Sequence, residues 1–449
     1  MTAPLTEDED RNIDFWNGLL DLTGVESKNK PINTILVSYL TTCSEGRNKK
    51  FLSSKADLDK SALLLVESDR FKENKGFCIS KMLSLLAIDF VDTSLKNYIS
   101  FILLCEISLN PSSLDTLCEY QGFTVLYNNI YSHFAYLSKY GENSSKTSVE
   151  DSDLNEIEYE IMDEFRKVSI LEMDLLFEIF KYCKNTITEL QLIDDFFVYF
   201  LMSTIISDTT EDTFNNTKFK LLLGINEQYI MFGYKYEIEN KVFKFLMNTS
   251  VSQSFVELLL LKFNRITHDR TLQIMICKII HLVLTSTPEI AKDFFYLNDL
   301  KVLVDVLIRE LNNISEDEEA IRNTFLRVLY PLLKFTEIAN EQYRKCDLIN
   351  LLTYLSKSTT LASSSSPCDS TKELSELTAH LAQKCLTDIP WLKEENSDEA
   401  TSISSDFSVA STFIKNKPHI YRNPEYSVSA DSIRTRKRPP PPIPRKNKT

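Results

Sequence analysis

Glycine scarcity is the feature that most constrains the fold of this sequence. The chain has 8 glycines among 449 residues, whereas an average protein has glycine at about 7% of its positions. Phosphate-binding loops, nucleophile elbows, βα turns and tight hairpins all use glycine, because glycine adopts positive φ angles at little steric cost. The sequence therefore predicts an all-α fold with negligible strand.

Apolar residues recur at helical spacing along most of the chain. In the segment 299–311 they fall at i, i+3, i+4, i+7, i+8 and i+11, and Val302 and Val306 widen the stripe. A stripe this broad requires packing by neighbouring helices. No tetratricopeptide or ankyrin signature is present, and the helix pairs recur as loosely as in degenerate armadillo or HEAT arrays. We therefore expect an irregular armadillo/HEAT-like α-solenoid.

Polar segments set the predicted boundaries. We expect residues 1–11 to be a disordered acidic N-terminus and 12–392 to be one helical domain, with loops near 138–156 and 356–372. The tail, 393–449, is rich in Ser, Thr, Asp and Asn over most of its length. Few large apolar residues are available there to offset the entropy of ordering, so this tail is predicted to be disordered.

Charge and cysteine usage limit the classes of partner and the compartment. The formal net charge of −14 argues against binding to nucleic acid or to an anionic membrane. The nine cysteines include no C-x-x-C pair, which favours reduced, structural thiols in an intracellular protein. The N-terminal residues lack the pattern of a secretory signal, and no apolar run approaches the ~18 residues of a membrane span. A cytosolic or nuclear protein is expected.

Catalytic motifs are absent from the sequence. The five histidines are far apart and form no H-E-x-x-H or H-x-x-x-H pair, and no G-x-S-x-G, Walker or G-x-G-x-x-G motif occurs. Acidic clusters have no matching cysteine or histidine ligands, so solvated loops and helix starts are the better interpretation. The sequence predicts no enzyme, no cofactor and no metal site.

The extreme C-terminus has the form of an SH3 ligand. Polyproline II has three residues per turn, so Pro441 and Pro444 share one edge, and a cation beyond either end can reach an acidic SH3 pocket. The alternative is a basic, proline-rich tail that binds nothing specific or serves nuclear import. Residues 434–449 contain seven basic and no acidic side chains. The predicted ligand residues are Arg436, Arg438, Pro439, Pro441, Pro442, Pro444 and Lys446.

Several blocks resemble the leucine-rich domain of the WISH/DIP (SPIN/low-dye-binding) family. They are FFYLNDLKVLVDVLIREL at 294–311, RNTFLRVLYPLL at 322–333, LLLGINEQ at 221–228 and NKVFK at 240–244. The resemblance covers roughly 215–355 well and the rest loosely. Yeast members of the family also end in proline-rich SH3 ligands, whereas mammalian members carry an N-terminal SH3 domain that this sequence lacks.

The resemblance implies an armadillo-like domain that binds and activates the Arp2/3 complex without a preformed mother filament. Such activation seeds linear actin filaments at cytoplasmic, cortical endocytic patches, where SH3-domain endocytic proteins recruit the protein. The alternative is a helical-repeat adaptor that links SH3 proteins to endocytic or signalling partners without activating Arp2/3. Candidate partner-binding residues, chosen because they fall off the apolar stripes, are Lys301, Asp305, Arg309, Arg322, Asn323 and Arg327.

Two further features each have two interpretations. Pro331 interrupts a helical pattern, so it either ends that helix or bends it, since proline removes a backbone hydrogen bond. Trp391 precedes several acidic residues, an arrangement similar to the acidic tails of actin-nucleation promoters. The alternative for Trp391 is that it pins the last helix onto the core.

Overall fold

The computed structural model describes residues 7–24, 30–141, 152–182, 184–207, 212–266, 269–315, 318–357 and 369–393. Regular structure within these residues is entirely helical and includes no strand. The all-α prediction is therefore confirmed for the described part of the chain. None of the helices described is both long enough and apolar enough to cross a membrane.

The chain divides into two compact units between Phe255 and Val256, a boundary that lies within α14 (Thr249–Arg265). The helices of the first unit are α1 (Glu7–Thr23), α2 (Ile32–Asn48), α3 (Lys55–Val66), α4 (Asp69–Glu73), α5 (Lys75–Leu86), α6 (Thr93–Leu109), α7 (Ser113–Glu119), α8 (Gly122–Tyr140), α9 (Ser152–Lys181), α10 (Ile187–Leu192), α11 (Asp195–Ser203), α12 (Thr213–Tyr236) and α13 (Lys241–Leu246).

The long helix α9 organises the first unit by packing against α6, α8 and α12. Its contact with α12 is close at Gly224, where an added Cβ would lie 3.2 Å from the ring of Phe177 and 3.3 Å from Cβ of Phe180. Phe180 also meets Phe123 of α8 edge to face, with ring centroids 6.0 Å apart. Buried aromatic rings thus hold α8, α9 and α12 together.

A buried polar cluster lies where α6, α8 and α9 meet. The Glu172 side chain is fully buried; its Oε1 accepts a hydrogen bond from Asn129 Nδ2 at 2.9 Å, and its Oε2 has no partner among the described residues. His133 Nδ1 lies 3.0 Å from Ser169 Oγ. Burial raises the pKa of Glu172 to about 8 and lowers that of His133 to about 3, where the charge of Lys96 adds to the effect. Both groups are therefore held in their neutral forms near neutral pH.

The second unit is built around α18, which packs against α15, α17 and the last helix. Phe325 of α18 meets Phe263 edge to face at 5.9 Å between centroids. After the shared α14, its helices are α15 (Arg270–Leu284), α16 (Pro288–Asp293), α17 (Leu297–Asn313), α18 (Glu319–Phe335), α19 (Ile338–Glu341), α20 (Lys345–Lys357) and α21 (Asp369–Asp388), followed by a 3₁₀ turn (Pro390–Leu392).

Several boundaries differ from those predicted. Helix α1 begins at Glu7, within the segment expected to be disordered, because acidic residues at a helix N-terminus interact favourably with the macrodipole. The predicted loop at 138–156 is shorter, since α8 reaches Tyr140 and α9 begins at Ser152. The predicted loop near 356–372 likewise ends earlier than expected, because α21 begins at Asp369. One helical domain over 12–392 stays a prediction, and the described helices group into two compact units.

Pro331 does not end its helix, because α18 continues to Phe335. Proline has no backbone N–H, so the carbonyl of Arg327 loses its helical partner. His281 of α15 lies within hydrogen-bonding distance, with Nδ1 3.1 Å from that carbonyl oxygen. Since a carbonyl can only accept, the imidazole donates, and it replaces the hydrogen bond that the proline removes.

Trp391 matches the packing interpretation. Its indole Nε1 donates to the Leu333 carbonyl of α18 at 3.0 Å, and the side chain is half-buried. The neighbouring Leu392 is buried. The turn after α21 is therefore held against the C-terminal end of α18 by this hydrogen bond.

Candidate functional site

Three of the predicted partner-binding residues form one charged row along α17. Lys301, Asp305 and Arg309 are spaced four residues apart, so they lie on one side of the helix. They are half-buried or exposed. The opposite side carries the fully buried stripe of Leu300, Leu303, Val304, Leu307 and Leu311. We call the row formed by Lys301, Asp305 and Arg309 the α17 charged face.

The first two members of the α17 charged face hold the connection between α19 and α20. Lys301 Nζ lies 2.5 Å from Glu341 Oε2. Asp305 accepts hydrogen bonds from the Tyr343 hydroxyl and from Arg344 Nε, each at 3.0 Å. These contacts support a turn in which Gln342 and Arg344 both have positive φ angles, 48° and 55°. Such angles are strained for residues other than glycine, so Asp305 stabilises a conformation that the turn would not favour alone.

The third member, Arg309, joins a wider polar network. Its guanidinium donates to the side-chain and backbone oxygens of Asn264, at 3.2 and 3.0 Å, and to Glu310 Oε1 at 3.1 Å. Glu310 also lies 3.6 Å from Arg270, whose Nε donates to Glu318 at 2.7 Å. The Glu310 carboxylate is buried, so its two pairs are not surface ion pairs, whereas the hydrogen bonds between Arg309 and Asn264 are exposed. Exposed polar contacts of this kind are each worth about 0–1 kcal/mol, so Arg309 can exchange its contacts with Asn264 for those of another protein at low cost in stability.

Arg322 and Asn323 do not belong to this surface, and the prediction that they are exposed is wrong. Only 8% of Arg322 and 4% of Asn323 is accessible to solvent. Asn323 lies beneath α21, where its Nδ2 donates to the Leu374 carbonyl at 3.1 Å, and Arg322 pairs with Glu319 and donates to the Ile314 carbonyl at 2.7 Å. Their polar character reflects hydrogen bonding inside the protein, which the spacing of apolar residues in α18 could not reveal.

Arg327, the sixth predicted residue, is half-buried on α18. Burial lowers the pKa of its guanidinium. Its backbone carbonyl is the acceptor for His281. Arg327 therefore lies at the position where α15 compensates for Pro331, and its surroundings differ from those of the α17 charged face.

The described residues offer a binding surface and contain no group of three His, Cys, Asp or Glu side chains placed to hold a metal ion. Sequence reasoning missed Tyr343 and Arg344, which contact Asp305 from 38 and 39 residues further along the chain. No spacing rule links such distant positions. The predicted SH3 ligand at 436–446 lies outside the described residues.

Comparison with known proteins shows which family the segment containing the α17 charged face is similar to. A family model described as the SPIN90/Ldb17 leucine-rich domain matches residues 211–348. Protein LDB17 of Saccharomyces cerevisiae is 45% identical over 96% of this chain and 93% of its own length. Protein LDB17 of Eremothecium gossypii is 48% identical over 88% of this chain and 85% of its own length. Protein dip1 of Schizosaccharomyces pombe is 30% identical over 49% of this chain and 59% of its own length.

Proposed function

From the premise that this chain belongs to the SPIN90/Ldb17 family, we propose that it binds and activates the Arp2/3 complex without a preformed mother filament. The family is one of actin regulators. The activated complex would then seed linear filaments at cortical endocytic actin patches, with actin itself engaged indirectly. The observation that carries the proposal is the similarity over nearly the whole chain, together with a matched domain, 211–348, that contains the α17 charged face.

Activation of this kind requires binding and no chemistry from the protein itself. A surface that fits the active arrangement of a complex better than the inactive one shifts the population towards the active state. The shift is limited by the difference between the two affinities, so several charged contacts are an advantage. We accordingly propose that the protein acts as a binding partner rather than as an enzyme, and that it needs no nucleotide, cofactor or metal of its own.

The helices support a proposed architecture for this binding surface. In the first unit α9 packs between α8 and α12, and in the second α18 packs between α15 and α21. A central helix covered on two sides by neighbours from the same unit is the arrangement found in armadillo and HEAT arrays. We propose that the units are irregular α-solenoid segments, each presenting a rigid helical surface.

The proline-rich tail provides the proposed means of recruitment. Pro441 and Pro444 on one polyproline II edge, with Arg438 or Lys446 beyond, suit the aromatic groove and acidic pocket of SH3 domains. SH3-domain endocytic proteins would thereby bring the chain to cytoplasmic actin patches. Deleting 434–449 should abolish SH3 pull-down while leaving the helical content by circular dichroism unchanged.

Pyrene-actin assembly with purified Arp2/3 complex and no added filaments tests the central proposal. The full chain should shorten the lag and produce unbranched filaments by fluorescence microscopy. An adaptor that only links SH3 proteins to other partners would leave the lag unchanged even at saturating concentration. That outcome, combined with intact SH3 binding, would replace the activator by the adaptor alternative.

A further inference from the structure

Helix α21 is held onto the second unit in two different ways along its length. From Ala382 onward it contributes the fully buried side chains of Ala382 and Cys385, and after it Ile389 is buried and the Trp391 indole anchors the turn. Between 373 and 378 the only buried side chain is that of Thr378, while Leu374 and Leu377 are half-buried. The fully buried side chains of the C-terminal part are therefore mostly apolar, whereas in the N-terminal part the fully buried side chain is polar and the leucines are only half-buried.

The polar contacts join Thr378 and Leu374 to one side of α18. The Thr378 hydroxyl lies within hydrogen-bonding distance of the Glu319 carboxylate and 3.0 Å from Asn323 Oδ1. Asn323 Nδ2 donates to the Leu374 carbonyl at 3.1 Å. Arg322 pairs with Glu319 and donates to the Ile314 carbonyl at 2.7 Å. We call Glu319, Arg322 and Asn323 the α18 polar face.

The α18 polar face would be stable in water. It consists of a carboxylate, a guanidinium and an amide at i, i+3 and i+4. Water would satisfy the hydrogen-bonding groups of these three side chains if α21 moved away. Buried ion pairs contribute little net stability because desolvation offsets much of their attraction. Arg322 Nε is moreover buried without an acceptor among the described residues. Covering this face therefore yields much less stabilisation than the apolar packing further along α21.

The matched family domain, which we propose carries the activity, includes the α18 polar face but not helix α21. The family match ends at residue 348, so it contains all of α18 and none of α21. Hydrogen bonds pair Asn323 with Leu374, Tyr330 with Asp388 and Leu333 with Trp391, so α21 runs parallel to α18. The N-terminal half can consequently open while the C-terminal half stays anchored.

We propose that residues 373–378 of α21 form an autoinhibitory cover over the α18 polar face, and that this cover opens when the protein engages the Arp2/3 complex. This inference rests on the proposed function. Asn323, which the cover contacts directly, then becomes a contact residue only in the open state. Local opening of a weakly held helical turn costs less free energy than global unfolding, so a partner can drive it with part of its binding energy.

Hydrogen exchange followed by mass spectrometry tests the cover without reference to activity. In the full chain, amides of residues 374–379 should exchange at least tenfold faster than those of 383–389. Thr378→Val, which removes the hydroxyl and keeps the shape, should accelerate the first segment further. Thr387→Val on the exposed side of the same helix is the matched control and should change neither segment. Equal protection of the two segments would overturn the proposal.

A reversible cross-link tests the link to function. In the variant Asn323→Cys/Thr378→Cys, oxidation should join α18 to α21, and pyrene-actin assays should show at least a fivefold slower activation that recovers on reduction. Each single-cysteine variant, treated identically, controls for oxidation of the native thiols. Should the cross-linked protein activate as fast as the reduced one, the autoinhibitory role is excluded. If the disulfide does not form, Thr378→Val should raise activation at subsaturating concentration, and an unchanged rate excludes the role equally.

The two proposals can fail separately. An unmodified chain that does not activate the complex under any condition refutes the proposed function, whatever the exchange data show. An active chain whose α21 is uniformly protected, or whose locked form is fully active, refutes the cover alone.

Discussion

Each unit of the protein buries a glutamate among polar groups, and the two arrangements are opposite in kind. Glu172 in the first unit accepts from one amide donor. Among the described residues its Oε2 has no hydrogen-bond partner, and the basic side chain shown within 4 Å of it is the neutral imidazole of His133. Glu319 in the second unit is paired with Arg322 and receives the Thr378 hydroxyl. The comparison teaches that burial is tolerated in two ways: one carboxyl keeps its proton near neutral pH, and the other is paired with a guanidinium and a hydroxyl.

The largest effect is expected from removing the cation of the second arrangement. Arg322→Met leaves Glu319 buried without its partner, and breaking a buried pair on one side typically costs about 3–5 kcal/mol. Urea denaturation at pH 7 measures the loss. Arg166→Met, on the exposed surface of α9, is the control and should lie within about 0.5 kcal/mol of the parent. A loss as small as that of the control would mean that Glu319 does not need Arg322.

The first arrangement should respond to pH instead. Burial raises the pKa of Glu172 from 4.5 to about 8, so the stability due to the protonated form is complete below 4.5 and is lost as pH rises through 8. Glu172→Gln keeps the acceptor for Asn129 and cannot ionise. Relative to this variant, the parent should lose on the order of 3 kcal/mol between pH 5 and pH 9.

The difference in stability between the parent and Glu172→Gln is best measured above pH 7. Burial lowers the pKa of His133 to about 3, so its neutral form supports folding above the unfolded value of 6.5 and that support is lost as pH falls below it. Parallel stability curves for the parent and Glu172→Gln from pH 7 to pH 9 would show that Glu172 is ionised in the folded protein throughout this range.

An effect of intermediate size on stability is expected where the hydrogen-bond acceptor is a neutral carbonyl. His281→Phe keeps an aromatic ring but removes the imidazole N–H that donates to the Arg327 carbonyl, which should cost about 1–3 kcal/mol in chemical denaturation. In a Pro331→Ala background the backbone N–H returns and the same substitution should cost less. A double-mutant cycle measures this coupling. Additive effects would show that the imidazole does not compensate for the proline.

The smallest effect on stability is expected at the α17 charged face. Arg309→Ala removes exposed hydrogen bonds and should change the free energy of unfolding by no more than about 1 kcal/mol. If this face contacts the Arp2/3 complex, the same variant should weaken activation, and pyrene-actin titration measures the change in apparent affinity. Arg166→Ala, outside the matched segment, is the control. Unchanged activation by Arg309→Ala would remove this residue from the contact.

The helical fold could be predicted from sequence because it depends on local properties. Scarce glycine and the spacing of Leu300, Leu303, Val304 and Leu307 both report on backbone conformation within one helix. The burial of Asn323 could not be predicted, since it depends on contact with α21, whose Leu374 lies 51 residues away along the chain. A polar residue off the apolar stripe has the same pattern whether water or another helix covers it.

In the candidate site, too, local spacing could be predicted from the sequence, whereas tertiary contacts could not. The row of Lys301, Asp305 and Arg309 follows from helical spacing alone. Its internal partners, Glu341, Tyr343 and Asn264, come from tertiary packing and leave no local signal. Sequence therefore identifies which side of α17 is polar, while the structure identifies the contacts that a binding partner would have to replace.

The hydrogen bond from His281 also determines the tautomer of its ring. Because the Arg327 carbonyl can only accept, the proton must stay on Nδ1, and Nε2 is left with its lone pair. Burial lowers the pKa of this histidine, so the ring stays neutral at physiological pH. A proline in α18 thus selects one isomer of a side chain 50 positions earlier in the sequence, and nitrogen chemical shifts of His281 would record that selection directly.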